Sequence, residues 1–372
     1  MSSVKVEKNE DNSVANPVVV TKYKLAGDVA QKTLAAVVQK CVAGAKIGEI
    51  AAEGDKLIVE ETAKVFQTQK IPKGISFPTC VSVNDCIAHN SPLPGSETAE
   101  LKDGDVVKVV LGAHIDGFPS IVGQTIVVGN GEVTGELADA LAAAHYASEL
   151  ALRTFKVGAR NWDVTDIVSK VAKQFDCVAV NDMLSQEHGK NTIDGKKKVI
   201  LNPTDGQRKN FETAKFGENE VYGLDILIVP GTSGKVIRKD DTTSVFKKSD
   251  KTYQLRLRTS RIAISDINSK AGNFPFNISI LEDQRRARLA LQEPINHGLV
   301  EALDITYSHS EKPVVEVFTT FALTSAGILK LAAPPKLADN VKTDKKLAAE
   351  EQALLSTSLK PKKKAAAATA SA

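Results

Sequence analysis

The stretch from Phe77 to Val128 constrains the fold most. It holds the run VVKVVL at 106–111, with a single charge among five aliphatic residues, and it ends near an Asn130-Gly131 turn. A short, Val-rich apolar run bounded by turn residues reads as a buried strand. Helical spacing flanks it. Leu34, Val37, Val38 and Cys41 recur within Asp28–Cys41, and Ile50, Leu57, Ile58 and Val65 within Gly48–Phe66, with a turn at Lys46-Ile47-Gly48. An Ala-rich helix is expected from Thr134 to Thr154, with Thr134 as N-cap and Glu136 behind it. Another is expected over Asp163–Phe175, with Ile167, Val168 and Val171 on its apolar face. Strands resume at Val199, Val221–Val229 and Val314–Leu323. Two rounds of helix, helix, strands make a mixed α/β (α+β) fold.

A hydrophobic content of 42% over 372 residues supplies a large core. No run approaches the roughly 18 apolar residues that a membrane span requires. The opening MSSVKVEKNEDNSVANP is polar and mixed in charge, unlike a secretory signal. Cys41, Cys80, Cys86 and Cys177 include no C-x-x-C pair, and the Cys80–Cys86 spacing fits no familiar zinc pattern. Reduced, buried thiols in the cytosol or nucleus are expected.

The net charge of +3 is unevenly spread. Residues 247–291 carry ten Lys/Arg against four acids, and residues 333–372 carry eight Lys against four acids, so the remainder is acidic. Concentrated positive charge suits phosphate neutralisation; the alternative is that these charges only solvate a surface. The expected organisation is a flexible N-terminus over 1–20, a main domain over 21–247 and 304–332, a helical basic insertion over 248–303, and a flexible Lys/Ala-rich tail over 333–372. Within the insertion, Ser260–Ser269 and Leu281–Leu291 read as helices around a hinge at 273–277. Arg256 and Arg258 would share one face of an approach strand, with Arg261 following. Arg285, Arg286 and Arg288 would lie on the second helix, and these arginines, with Lys251, would present cations to phosphates. Lys360, Lys362, Lys363 and Lys364 would form a mobile electrostatic tether.

Other features carry little chemistry. His145, His297 and His309 read as solvated or hydrogen-bonded residues. The segment Pro230-Gly231-Thr232-Ser233-Gly234-Lys235 is half a phosphate loop in the wrong context and is expected to be a hairpin turn. No G-x-S-x-G elbow is present.

The stretch FPTCVSVNDCIAHNSP followed by LKDGDVVKVVLGAHIDGFPSIVGQTIVV resembles the front half of the active site of type 2 methionine aminopeptidases, with Lys108, Gly112, His114, Ile115 and Gly117 in place. The resemblance puts Val110 and Ile121 where that family has two metal-binding Asp residues. It puts Glu187 at the His ligand with His188 one place later, Asp225 at one Glu ligand, and Phe318 at the last. His89 matches the substrate-side His. Hard divalent cations need anionic oxygen ligands, which Val, Ile and Phe cannot supply. Val110, Ile121 and Phe318 are expected to pack together and close the former metal centre. Over nearly the whole chain the sequence is similar to the proliferation-associated and curved-DNA-binding proteins, which look like aminopeptidases with degenerate ligands. The matching residues include SVND at 82–85, IDG at 193–195, NPTD at 202–205, EVY at 220–222, KTY at 251–253 and RTSR at 258–261. The resemblance implies a pita-bread fold with a winged-helix-like insertion, no metal, no cofactor and no catalysis. It implies binding to the large ribosomal subunit, rRNA or other structured RNA, in cytoplasm and nucleus or nucleolus, with no membrane partner. DNA binding and an active metalloaminopeptidase are the alternative function classes.

Overall fold

A computed structural model of the chain describes residues 11–95, 99–239, 243–281 and 286–360. Two helices, α1 (Pro17–Lys40) and α2 (Ile47–Ala63), precede β1 (Lys73–Val83), β2 (Cys86–Ala88), β3 (Val106–Ile115) and β4 (Phe118–Val127). The pattern then repeats: α3 (Gly135–Thr154) and α4 (Asn161–Gln174) lead into β5 (Cys177–Ala179), β6 (Leu184–His188), β7 (Lys198–Ile200), α5 (Asp205–Asn210) and β8 (Glu220–Pro230). After β9 (Val236–Arg238) the insertion folds as β10 (Val245–Lys248), α6 (Arg258–Lys270), β11 (Phe276–Asn277), α7 (Ala287–Asn296) and β12 (Val300–Ala302). The chain returns through β13 (Thr306–Ser308), β14 (Val315–Thr324) and β15 (Gly327–Ala332) and ends its described part after α8 (Ala349–Leu355).

The two halves build one antiparallel nine-stranded sheet in the order β1-β3-β4-β14-β8-β6-β7, with β15 on β14 and β5 on β8. The four helices cover one face. α1 starts at an Asn16 N-cap, whose side chain accepts from Val18 N at 3.0 Å, with Pro17 in the first turn. It buries Val19, Tyr23, Ala26, Ala30, Leu34 and Val37 at helical spacing. α3 buries Ala along most of its length, which brings it close to α4 and β8.

A seam joins the halves. Between β4 and β14 the ladder has one pair, Phe318 opposite Gly123. On one side, Thr320 Oγ1 donates to Ile121 O at 2.7 Å and accepts from Ile121 N at 2.9 Å. On the other, Thr125 Oγ1 donates to Glu316 O at 2.9 Å and accepts from Glu316 N at 2.7 Å. Two hydroxyls thus take the place of backbone partners, satisfying buried groups that would otherwise be orphaned.

Several expectations are corrected. The chain is ordered well before residue 20: Val14 and Val19 are buried and α1 begins at Pro17. Thr134 precedes α3, but its side chain makes no capping hydrogen bond. Residues 230–235 are no hairpin, because β9 pairs with β13 in a separate sheet, β2-β13-β9. The second insertion helix runs over Ala287–Asn296, beyond the expected Leu281–Leu291. Pro294 removes one donor without ending the helix, which closes at Gly298 with φ +68°. Residues 333–360 do not trail free. Leu347 is buried in the core of the second half, with Leu337, Val341, Leu354, Leu355 and Leu359 packed against it. Lys345 ties this segment to Asp139 and Asp176, and Lys170 bonds the buried Glu351 at 2.6 Å. Lys362, Lys363 and Lys364 lie outside the described residues.

Two outcomes follow. Thr320→Val should strand Ile121 N–H and C=O and lower stability by about 2–4 kcal/mol in chemical denaturation, with Thr320→Ser recovering most of it. Ending the chain after Lys360 should leave the melting temperature within a degree or two, whereas Leu347→Ala should lower stability by about 2–4 kcal/mol.

Candidate functional site

The sheet's other face, opposite the four helices, holds a cleft of about 410 Å³. Its centre is one row across four strands. Val110 on β3 is opposite Gly123 on β4, Gly123 opposite Phe318 on β14, and Phe318 opposite Asp225 on β8. Directly opposed residues share a face, so these side chains converge. Gly123 is required here, since a Cβ would stand 2.9 Å from both Phe318 Cβ and Val110 Cγ2. Val110 and Phe318 close over it. The neighbouring row places Ile121 opposite Gly112. Further along, the His188 ring lies over Gly223, where a Cβ would meet Nε2 at 2.5 Å and Phe318 Cζ at 2.8 Å. The His188 and Phe318 rings stack with centroids 6.5 Å apart.

Of the residues picked out in the sequence, Val110, Ile121, Asp225, Phe318 and His89 all line this cleft. Glu187 does not: Gln186 and His188 line it, and strand alternation turns Glu187 to the opposite face. The expected closure is also corrected. Val110 and Phe318 do pack together, but the volume beyond them stays open. His89 is held with φ +67° and its Nδ1 lies 3.0 Å from Asp304 O, tilted against Phe77. His114 does not enter the cleft; it stacks on Phe274 of the insertion at 4.7 Å and its Nδ1 accepts from Gly117 N.

The sequence reading missed Glu316. It lies two residues before Phe318 on the same strand face, and that alternation is the signal that could have found it. Glu316 is 4% exposed and hydrogen-bonded to Asp225. Burial raises both carboxyls above their ordinary range, Asp225 the more strongly, since it also faces Glu316 and donates to it. Lys108, 1% exposed, donates to Asn84 O at 2.9 Å; burial lowers it to about 8, against the pull of Cys86, Glu316 and Asp85. The charge of Lys108 works against burial at Glu316, pulling its carboxyl back down. Burial pushes His188 down to about 3, so it is uncharged.

This donor set does not fit a pair of divalent ions. Three of the five expected positions are aliphatic or aromatic, Glu187 faces away from the cleft, and Asp225 is left with Glu316, which lies outside the expected set, both carboxyls being raised by burial. Among the described residues no group of three His, Cys, Asp or Glu side chains is placed to hold a metal ion.

The basic residues split into two sets. Glu293, near the end of α7, accepts from Arg256 N at 2.7 Å and Leu257 N at 3.1 Å, capping the start of α6. Arg256, Arg258 and Arg261 thus gather at that end. There is no approach strand: Arg258 is the first residue of α6. Arg261 is committed to Leu255 O and Arg256 O. Arg286 and Arg288 sit five to seven residues before Glu293, about 7–10 Å along α7, and Arg288 donates to Thr243 O at 3.0 Å. Lys251 lies exposed beside Gly298, Lys360 is exposed, and Arg285 falls outside the described residues.

A divided antiparallel sheet with helices on one face and the cleft at the seam is the pita-bread fold of the aminopeptidase class. Residues 21–211 match the family described as metallopeptidase family M24. The curved DNA-binding protein of Schizosaccharomyces pombe is 46% identical over 353 residues, covering 94% of this chain and 93% of that protein. Proliferation-associated protein A of Dictyostelium discoideum is 38% identical over 323 residues, covering 86% and 83%. The solved structure of a thermophilic Arx1 superposes with a TM-score of 0.87 at 33% identity, over 93% of this chain and all of that one. The chain belongs to the M24 family, and within it to the branch of the curved-DNA-binding and proliferation-associated proteins.

The raised carboxyls of Asp225 and Glu316 have a measurable consequence. Raised carboxyl pKa values mean that the folded state binds protons more tightly than the unfolded chain, so this pair loses stability as pH rises from about 4 through about 7. Asp225→Asn removes one of the two groups. Its stability relative to wild type should climb across that window by up to about 1.4 kcal/mol per pH unit. The depressed histidines act in the opposite direction but are common to both proteins. A stability difference that stays constant across pH 5, 6, 7 and 8 would contradict the raised carboxyls.

Proposed function

We propose that this chain is a non-catalytic, aminopeptidase-like factor that binds ribosomal particles or structured RNA in cytoplasm and nucleus. The reading rests most on the surface of the insertion. Tyr253, Leu257, Ile262, Leu289 and Ile295 are five of the nine exposed large hydrophobic residues described, and all lie within 43 residues that also carry Arg256, Arg258, Arg286 and Arg288. Apolar groups interleaved with cations suit a partner that offers both phosphates and unstacked bases, as folded RNA does. Family resemblance supports the ribosome as the source of that RNA, and the large subunit as the surface. No helix described is long and apolar enough to cross a membrane. The relative named for curved DNA favours DNA as the second reading, since the same cations would serve a duplex.

Binding of labelled rRNA fragments, competed with duplex DNA at near-physiological salt, separates the two. Joint reversal of Arg256, Arg258 and Arg286 to Glu should weaken RNA binding more than ten-fold, while loss of residues beyond Leu359 should weaken it modestly and lower the salt slope by at most about four. Unchanged affinity in the folded triple variant would move the contact to another surface, with Lys196–Lys198 and Arg208-Lys209 next in line. The absence of catalysis has its own check: purified protein should carry no stoichiometric divalent ion and release no N-terminal Met from peptides. Two equivalents of metal with chelator-sensitive turnover would overturn it.

A further inference from the structure

On the helix side, the seam between the halves is a gap. α1 and α2 pack on β1, β3 and β4, whereas α3 and α4 pack on β5, β7, β8 and β14, and each set has its own core. β15 fills one end of the gap. It pairs with Thr320–Thr324 of β14 and runs so close to α1 that a Cβ on Gly27 would collide with Leu331 O. Beyond Ala332 the chain leaves the ladder, and residues 333–341 roof the other end. Ala333 N donates to Gln31 Oε1 at 2.9 Å, and Val133 N donates to Asn340 O at 2.9 Å. Between these anchors Pro334 and Pro335 have no N–H to give, so the roof cannot pair as a strand.

Under the roof lie two adjoining cavities of about 240 Å³ and about 370 Å³, which share His145, Val317, Pro334, Pro335 and Lys336. One row of α3 runs along both, with Leu141 in the first, His145 at the junction, and Glu149 and Arg153 in the second. Residues at i, i+4 spacing stand on one helix face. Val315, Val317 and Thr319 alternate on β14 to form the floor.

The two ends differ in chemistry. The first is walled by Val127, Val133, Leu141, Val315, Leu337 and Val341. The second sets one acid, Glu149, against Arg153, Lys330 and Lys336. Glu149 pairs with Arg153 at 2.9 Å and with Lys330, while the exposed Lys336 has no ion pair among the described residues. His145 is half-buried and makes no hydrogen bond among the described residues; its ring meets the edge of Tyr146. Burial holds His145 below its ordinary range against the pull of Glu149, and the nearby charges of Lys330 and Lys336 push the same way as burial. A cation would meet a surplus of its own charge here, and a compact oxyanion would leave the apolar end empty. The apolar end holds about eight groups the size of a water at roughly 30 Å³ each, which limits an alkyl chain to medium length.

We propose that this trough binds a medium-chain carboxylate, with the alkyl chain along Leu141, Val315 and Val317 and the carboxylate between His145, Lys330 and Lys336. The chain removes apolar wall from water, and the head meets the unmatched charge under the roof. The trough lies on the helix side of the sheet, away from the cleft and the insertion, so its test is independent of RNA binding.

Octanoate, octanamide and octylammonium, all below micelle-forming concentrations, are titrated into the full chain by calorimetry and protein-observed NMR. Octanoate should bind about ten-fold or more tightly than octylammonium and shift the His145 ring signals. From butanoate to octanoate the affinity should rise about four-fold per added methylene, then level off in longer chains. Lys336→Glu changes an exposed side chain and should weaken octanoate about five-fold or more, leaving octanamide within about two-fold. Val317→Phe narrows the junction and should weaken both ligands, with the melting temperature within a few degrees of wild type. No saturable octanoate binding, octylammonium binding as tight as octanoate, or octanoate affinity unchanged in both folded variants would overturn the site. Binding that shifts Phe318 and leaves His145 unmoved would put the ligand in the cleft and overturn it equally.

Discussion

The molecule depends on how its two halves meet. Between β4 and β14 one ladder pair survives, Phe318 with Gly123, and Thr125 and Thr320 supply the remaining hydrogen bonds through their hydroxyls. The geometry has a steric cause. Val110 and Phe318 meet above a strand that has no side chain at residue 123. The cleft lies at the seam because neither half can close it alone: Val110 and Ile121 come from the first, Asp225 and His188 from the second, and Phe318 and Glu316 from the strand that returns to join them.

In a protein that retains this architecture without metal ligands, the centre must be stabilised by other means. Acids left unpaired in an apolar pocket would each cost several kcal/mol. Here the problem is solved by subtraction and sharing. Three ligand positions are apolar, burial raises the carboxyls of Asp225 and Glu316 beside each other, and the charge of Lys108 works against that rise at Glu316. The result is a polar floor whose carboxyls are biased toward their neutral form. This explains how the cleft can remain open, since water can occupy a site that would hold a bare pair of carboxylates only with difficulty.

Much of this was legible in the sequence, and the failures have physical reasons. Val110 and Ile121 were identifiable because the strand motif around Lys108, Gly112 and His114 fixes the register, and Phe318 because the run 316–320 resembles the family's last strand; all three line the cleft. Glu187 was misplaced by one residue, and in a strand one residue exchanges the two faces. Glu316 was missed because attention fell on the single position matching the family ligand, although i−2 on a strand points the same way. The tail was misjudged from composition: Ala- and Lys-rich sequence looks uncommitted, yet Leu347, Leu354 and Leu359 are spaced to dock on the core of the second half. Arg256 and Arg258 alternate as a strand would, but Glu293, some 35 residues away, caps a helix there instead. That partner is invisible to local pattern.

The insertion connects the remaining observations. It has a small core of its own around Phe246, Ile267 and Leu291, and it meets the sheet through a limited set of contacts: the His114–Phe274 stack, the Lys247–Asp194 pair, and the wall around Pro275 and Glu301. His114 illustrates the logic. It belongs to the strand motif that resembles an enzyme's, yet its ring supports the insertion, and burial against Phe274 lowers it to about 4. His114 is a packing surface for the element that carries the arginines. The apolar cleft, its buried carboxyls and the basic outer helices are therefore parts of one arrangement, in which the cleft face of the sheet holds the insertion in position.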